Sequence, residues 1–114
     1  MSRDRLLLLE AGFDDPKFPG DRFVCPHGLP IVGLLASAPE QANRLDVEYI
    51  GFQRPRQRVI ELLDAEHQGL PVLLLGDELP VPADAKTLGS THYVDDSRRI
   101  LELLTERHGF PKVH

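Results

Sequence analysis

The chain has a single cysteine among its 114 residues, Cys25, so it cannot form an internal disulfide. A fold that holds without one suits a reducing compartment. Long apolar runs are also missing near the amino terminus, where Leu6–Leu9 is followed directly by a glutamate. Four leucines are too few for the core of a signal peptide or for a membrane span. We therefore expect a cytoplasmic protein without a membrane partner.

An excess of basic residues is missing as well. Thirteen Lys and Arg face 18 Asp and Glu, and the resulting net charge of −5 disfavours nucleic acid as a partner. The hydrophobic share of 41% and the charged share of 27% are those of an ordinary globular protein. A chain of this length can bury one hydrophobic core. We expect a single domain over residues 1–114.

Seven stretches have the apolar pattern of a strand or a helix. In chain order they are a strand at 5–10, a helix at 27–45, a strand at 46–52, a helix from Pro55 to Gly69, strands at 72–75 and 91–94, and a helix ending at Gly109. Pro39 kinks the first helix or divides it, and Asp95 or Asp96 is the expected N-cap of the last. The order β-α-β-α-β-β-α predicts an α/β fold, a mixed four-stranded sheet flanked by helices.

The sequence "CPHG" places Cys25 just before the first predicted helix. A thiol reacts as its thiolate, and the free N–H groups of a helix N-terminus favour that anion. Protonated His27 would favour it too, whereas acidic residues of the preceding loop, 12–24, would oppose it. The alternatives are that Cys25 is a small buried apolar residue and that His27 is a solvated loop residue. The loop itself is either a lid over Cys25 or ordered surface.

Three stretches together resemble the thioredoxin-like superfamily: "CPHG" before the first helix, "GLPVLLL" at the third strand and "VDDSRRILELL" at the last helix. The resemblance is to glutaredoxins and to the amino-terminal domains of glutathione transferases. It is closest to a bacterial thioredoxin-like family of unknown function. It implies a thioredoxin-like fold, with Cys25 as the reactive thiol and His27 beside it.

The resemblance also implies a glutathione site. Leu70 and Pro71 match the cis-proline turn whose backbone pairs with glutathione, and Asp96 and Ser97 match the residues that receive its γ-glutamyl end. From the residues alone, Pro71 is equally suited to open a strand in the trans form, and Asp96 and Ser97 are ordinary N-cap residues.

The arginines of "QRPRQR" form either a solvated charged face or an anion site. For the anion site, the carboxyl end of glutathione is the natural ligand, with Arg56 as its binding residue. The five histidines show no ligand-pair spacing with Cys25, so we expect no metal site and no bound cofactor other than glutathione.

One departure from the superfamily decides the expected chemistry. Gly28 stands where a dithiol oxidoreductase has its second cysteine, so disulfide exchange within the chain is excluded. The leading hypothesis is a monothiol protein that binds glutathione, a related small thiol or a protein thiol through Cys25. The alternatives are a non-catalytic interaction module with a vestigial site, and an arsenate-reductase-like enzyme, which would need a basic cluster beside the thiol. An uncovered sheet edge or an apolar helix face would support a homodimer.

Overall fold

The computed structural model describes residues 2–114, and within them the chain forms five strands and four helices. In chain order these are β1 Arg5–Leu9, α1 Leu29–Ser37, α2 Pro39–Ala42, β2 Asp46–Ile50, α3 Gln57–Leu62, β3 Val72–Leu75, β4 Lys86–Leu88, β5 Thr91–Val94 and α4 Ser97–His108. Among residues 2–114, no helix is long and apolar enough to cross a membrane.

The five strands form one mixed sheet in the order β2-β1-β3-β5-β4. β1 and β2 are parallel, with Leu9 opposite Ile50. β3 is antiparallel to both β1 and β5, with Leu73 opposite Val94. The ends of β1, β2 and β5 and the start of β3 therefore lie together along one side of the sheet, where the strands terminate. This side is here named the upper edge. The turn before α1 lies there too, because a helix that joins parallel neighbours must run back along the sheet.

The leucine run of β1 is buried on both faces of the sheet, as expected from its lack of alternation. Leu6 and Leu8 lie in one cluster with α1 and α4. Leu7 points to the opposite face, where it packs with Val59 of α3 and with Tyr93. Helices therefore cover both faces of the central strands.

The expected four-stranded sheet is wrong, because β4 adds a fifth strand at the edge beside β5. β4 has only three residues, and two of them, Lys86 and Thr87, are exposed, so it lacks an apolar pattern. The turn that joins β4 to β5 is indicated in the sequence by Gly89. This residue has a φ of +61°, a conformation that glycine adopts freely.

Two helices begin later than the sequence predicted. The first predicted helix is divided before Pro39, and α1 begins at Leu29 instead of His27. α3 begins at Gln57 instead of Pro55 and ends well before Gly69. Arg56 is the N-cap of α3, with a φ of −92° and a ψ of 85°, so its backbone is not helical. Its N–H donates to Oε1 of Gln68 at 2.8 Å.

The last helix agrees with its prediction. Asp96 is its N-cap and accepts hydrogen bonds from the backbone N–H groups of Arg98 and Arg99. Gly109 ends it with a φ of +75°. Asp96, one of the two expected N-cap residues, is thus confirmed.

We predict that Gly76→Ala destabilises the protein by about 1–3 kcal/mol, the usual cost of overpacking. A Cβ at Gly76 would lie 2.2 Å from the carbonyl oxygen of Ser2 and 2.7 Å from backbone atoms of Arg3, and backbone yields poorly. Gly33→Ala in α1 is the matched control, since a Cβ there meets nothing within 4 Å and helix propensity favours alanine. Urea denaturation checks both; equal effects would contradict the close approach at Gly76.

Candidate functional site

Cys25 is a free, partly exposed cysteine at the upper edge. Its carbonyl oxygen accepts a hydrogen bond of 3.0 Å from the N–H of Leu29, the first residue of α1. Cys25 therefore lies just before α1, as the sequence predicted, in the turn that leads into the helix, and α1 itself begins after Gly28. His27 is exposed and has no hydrogen-bond partner within residues 2–114.

Arg56 is buried, with 7% of its surface exposed. Its Nε and Nη2 donate to the carbonyl oxygen of Phe52 at 3.0 and 2.8 Å, and its Nη1 donates to that of Gln68 at 2.9 Å. A guanidinium has five N–H donors, so two remain after these three bonds. Within residues 2–114, no carboxylate oxygen lies within 4 Å of it. Arg56 is thus a buried cation without an anionic partner.

The charges of Arg56 and Cys25 act on each other. Burial lowers the pKa of Arg56, and the charge of Arg54 lowers it further, whereas the negative charge of a Cys25 thiolate raises it. The structure therefore brings together two residues that lie 31 positions apart in the sequence.

The three arginines expected to share one role have three different environments. A solvated face is wrong for Arg56, which is buried. Arg58 donates to both carboxylate oxygens of Glu48 on β2 at 2.8 and 3.0 Å, and these bonds lower the pKa of Glu48. Arg54 is exposed and has no partner within residues 2–114. Only Arg54 and Arg56 are available to a ligand.

The loop between β1 and α1 is ordered by aromatic contacts. Phe13 and Phe23 exchange backbone hydrogen bonds of 3.1 and 2.9 Å across the loop. The ring of Phe13 stacks on that of Phe52, with centroids 4.4 Å apart and planes inclined by 5°. The Arg56 guanidinium lies 5.6 Å from the centroid of the Phe52 ring. Sequence reasoning missed this stack, because nothing in the spacing of the phenylalanines indicates that they meet.

A cleft opens between this loop and the segment after β2. It has a volume of about 330 Å³ and is here named the arginine cleft; its lining residues are Asp15, Pro16, Lys17, Phe52, Gln53, Arg54 and Arg56. Three of these residues are cationic and one is anionic. Oδ1 of the one carboxylate, Asp15, accepts from the backbone N–H of Lys17 at 3.0 Å. The cleft is therefore positively charged.

The peptide bond between Leu70 and Pro71 is cis, the form that the resemblance implied. Within residues 2–114, the backbone of Leu70 makes no hydrogen bond. Its N–H and carbonyl groups are available for pairing with a ligand.

Asp96 and Ser97 lie beside this turn at the upper edge. Leu73 of β3 lies opposite Val94 of β5. Continuing this antiparallel register by two residues places Pro71 opposite Asp96. Oδ1 of Asp96 accepts from the N–H groups of Arg98 and Arg99 at 3.0 and 3.4 Å, while Oδ2 has no partner within residues 2–114. The N-cap interpretation of Asp96 is therefore correct, and one oxygen is still free.

No group of three or more His, Cys, Asp or Glu side chains in the described part of the chain could hold a metal ion. A family model matches residues 3–112, nearly the whole chain. The chain belongs to the family described as "Protein of unknown function (DUF3088)". No curated protein matches it, and no solved structure does.

Proposed function

We propose that the chain has a thioredoxin-like fold. The order β2-β1-β3-β5, with β1 and β2 parallel and the other two antiparallel, supports this assignment. So does the position of Cys25 in the turn before the first helix. β4 would then be an addition at the free edge of β5.

We further propose that the protein is a monothiol that forms a mixed disulfide with glutathione or a related thiol through Cys25. One observation carries this proposal: a partly exposed thiol lies in the turn before α1, at the end of the sheet where β2 leads to a buried cation that has no carboxylate partner within residues 2–114. Burying an uncompensated charge is costly, and a thiolate nearby offsets part of that cost.

The reaction is a thiol–disulfide exchange. The Cys25 thiolate attacks one sulfur of a disulfide R–S–S–R, the S–S bond breaks, and the products are Cys25–S–S–R and the thiolate R–S⁻. The released thiolate takes a proton from water or from His27, which is exposed and which stands close to Cys25 in the sequence. Because Gly28 replaces a second cysteine, a thiol from outside the chain must resolve the mixed disulfide.

In this proposal the upper edge also holds the peptide part of glutathione. The free backbone groups of Leu70, before Pro71, would pair with the backbone of the ligand. Oδ2 of Asp96 would accept from the α-ammonium of the γ-glutamyl group, and the hydroxyl of Ser97 would donate to its carboxylate. The contacts support these roles, since neither Leu70 nor Oδ2 of Asp96 has another partner within residues 2–114.

Incubation with oxidised glutathione, followed by intact mass, tests the proposal. We predict one glutathione per wild-type chain and none on Cys25→Ser. The substitution should change the free energy of unfolding by less than about 1 kcal/mol, because the residue is partly exposed and serine is similar in size. If the folded wild type takes up no glutathione, while the same chain does so in urea, the thiol is not the functional group and the proposal is wrong.

A second candidate function is the docking of a partner protein without chemistry. Three large apolar side chains are exposed near Cys25: Phe18 by 58%, Val24 by 47% and Leu29 by 54%. Exposed apolar residues that cluster often mark protein contacts. Leu29→Glu should then abolish a partner's binding, whereas Cys25→Ser should leave that binding unchanged.

A further inference from the structure

We infer that β2 pairs along its outer side with β2 of a second copy of this chain. The two strands run antiparallel about a two-fold axis at Glu48, so that the two sheets become one continuous sheet. The contact surface, here named the β2 edge, consists of the outward backbone groups and the side chains of Val47 and Tyr49. Neither Cys25 nor its ligand takes part in this contact.

The first support is a row of unpaired backbone groups. β2 is the last strand on its side of the sheet, and within residues 2–114 it pairs with β1 alone. The N–H of Asp46 and the carbonyl oxygen of Ile50 bond to the residues that flank β1, at 3.1 and 2.9 Å. Because alternate residues of a strand bond to the same side, the backbone groups of Val47 and Tyr49 point away from β1. They make no other hydrogen bond within residues 2–114, and no proline or bulge interrupts the strand.

The second support is that the β2 edge is complementary to itself. The symmetric antiparallel register places Val47 opposite Tyr49 of the second copy, and Tyr49 opposite Val47 of the second copy. Half of the Tyr49 surface is exposed in the single chain. A β-branched residue opposite an aromatic one stabilises a pair of strands, and the symmetry makes this contact twice. The second copy therefore covers an aromatic side chain that the single chain leaves in solvent.

The third support is the charge balance beside the strand. Glu48 accepts from Arg58 at 2.8 and 3.0 Å and lies 3.3 Å from a guanidinium nitrogen of Arg5. Asp46 lies within 4 Å of both Arg3 and Arg5. Charged side chains on an edge strand normally oppose pairing, but these two carboxylates are neutralised by arginines of their own chain. The chain as a whole has a net charge of −5, so two copies repel each other less here than over their surface on average.

The opposite side of the sheet is unsuited to the same contact. Its last strand, β4, has only three residues, and Lys86 and Thr87 are both exposed. A short edge strand that carries a lysine is protected against pairing. The β2 edge is thus the side of the sheet that is open to a second copy.

Sedimentation of the full chain tests the inference, with a reductant present so that Cys25 cannot join two chains. At about 100 μM, a hundred times a micromolar dissociation constant, we expect twice the mass of one chain. Tyr49→Lys should raise the dissociation constant at least about ten-fold, because it removes both aromatic contacts and places a lysine on each edge. Thr87→Lys, the same new side chain on β4, should leave the dissociation constant unchanged. Circular dichroism checks that both variants are folded.

Cross-linking tests the register. In the non-hydrogen-bonded pair at the two-fold axis, the two Cα atoms lie about 4.5 Å apart, within the range that a disulfide spans. Under mild oxidation, Glu48→Cys/Cys25→Ser should therefore form a covalent dimer. Tyr49→Cys/Cys25→Ser should not, because that residue lies diagonally from its own copy, beyond the limit of about 7 Å between Cα atoms.

A wild-type chain that sediments as a monomer would overturn the inference, and the β2 edge would then be open to a strand of a different protein. A dimer with the same dissociation constant in wild type and both lysine variants would overturn it as well, since another surface would hold the copies together. Covalent dimers from Tyr49→Cys/Cys25→Ser instead of Glu48→Cys/Cys25→Ser would overturn the register. None of these results affects the uptake of glutathione, so the proposed function is tested separately.

Discussion

Asp4→Asn is expected to destabilise the folded chain by about 3–5 kcal/mol, the usual cost of breaking a buried ion pair. Only 2% of the Asp4 side chain is exposed. Its carboxylate accepts from Nε and Nη2 of Arg107 at 2.7 and 2.8 Å, from Nε2 of His108 at 2.8 Å and from the N–H of Gly76 at 2.8 Å. These bonds join the residue before β1, the end of β3 and the last turn of α4. An amide cannot satisfy these donors or balance the charge.

Urea denaturation at neutral pH measures this effect. Asp46→Asn is the matched control, because Asp46 is partly exposed and its nitrogen–oxygen distances to Arg3 and Arg5 are 3.7 and 3.9 Å. It should cost no more than about 1 kcal/mol. Equal losses in the two variants would show that the Asp4 cluster does not hold these elements together.

The same cluster predicts the response to acid. Burial raises the pKa of Asp4, but the hydrogen bonds from His108 and Arg107 outweigh it and hold the pKa far below its usual range. A depressed pKa means that the stability is present above the unfolded value of about 4 and is lost as the pH falls below it. Between neutral pH and strong acid, wild type should therefore lose more stability than Asp4→Asn.

Arg56→Met is expected to slow the alkylation of Cys25 by iodoacetamide about five-fold at neutral pH. The thiolate is the reacting form, and a neighbouring charge worth about 1 kcal/mol changes its population by about that factor. Arg56→Lys should stay within about two-fold of wild type, since it keeps the positive charge. Lys112→Met removes an exposed charge at a position outside the cleft and should have no effect.

Arg56 also anchors the backbone of Phe52 and Gln68, so circular dichroism must show that each variant is folded at the assay temperature. If Arg56→Met unfolds, the same comparison is made at a lower temperature and against Arg56→Lys. Folded Arg56→Met reacting as fast as wild type would contradict an electrostatic role for this residue.

The architecture was largely predictable, because apolar runs report burial directly. Leu6–Leu9 predicted a strand buried on both faces, and the structure has one. β4 was not predictable from hydrophobicity, since an exposed edge strand of three residues buries too little to show a pattern. The starts of α1 and α3 were misplaced because Pro30 and Pro55 were compatible with more than one helix start.

The candidate site was predictable only in part. Cys25, Pro71 and Asp96 stand at the ends of predicted elements, so topology places them at one edge. The burial of Arg56 could not be predicted, since the composition of "QRPRQR" is typical of a solvated stretch. Its guanidinium lies over the Phe52 ring, which stacks on Phe13, a contact between a loop and a distant turn that no local spacing indicates.

The most direct test of the central claim is the rate constant for alkylation of Cys25 by iodoacetamide at neutral pH, in the folded chain and in the same chain unfolded in urea. Because there is one cysteine, intact mass reports on Cys25 alone. If Arg56 and the upper edge activate the thiol, the folded chain reacts several times faster than the unfolded one. A folded chain that reacts no faster, or more slowly, would contradict a thiol function for this protein.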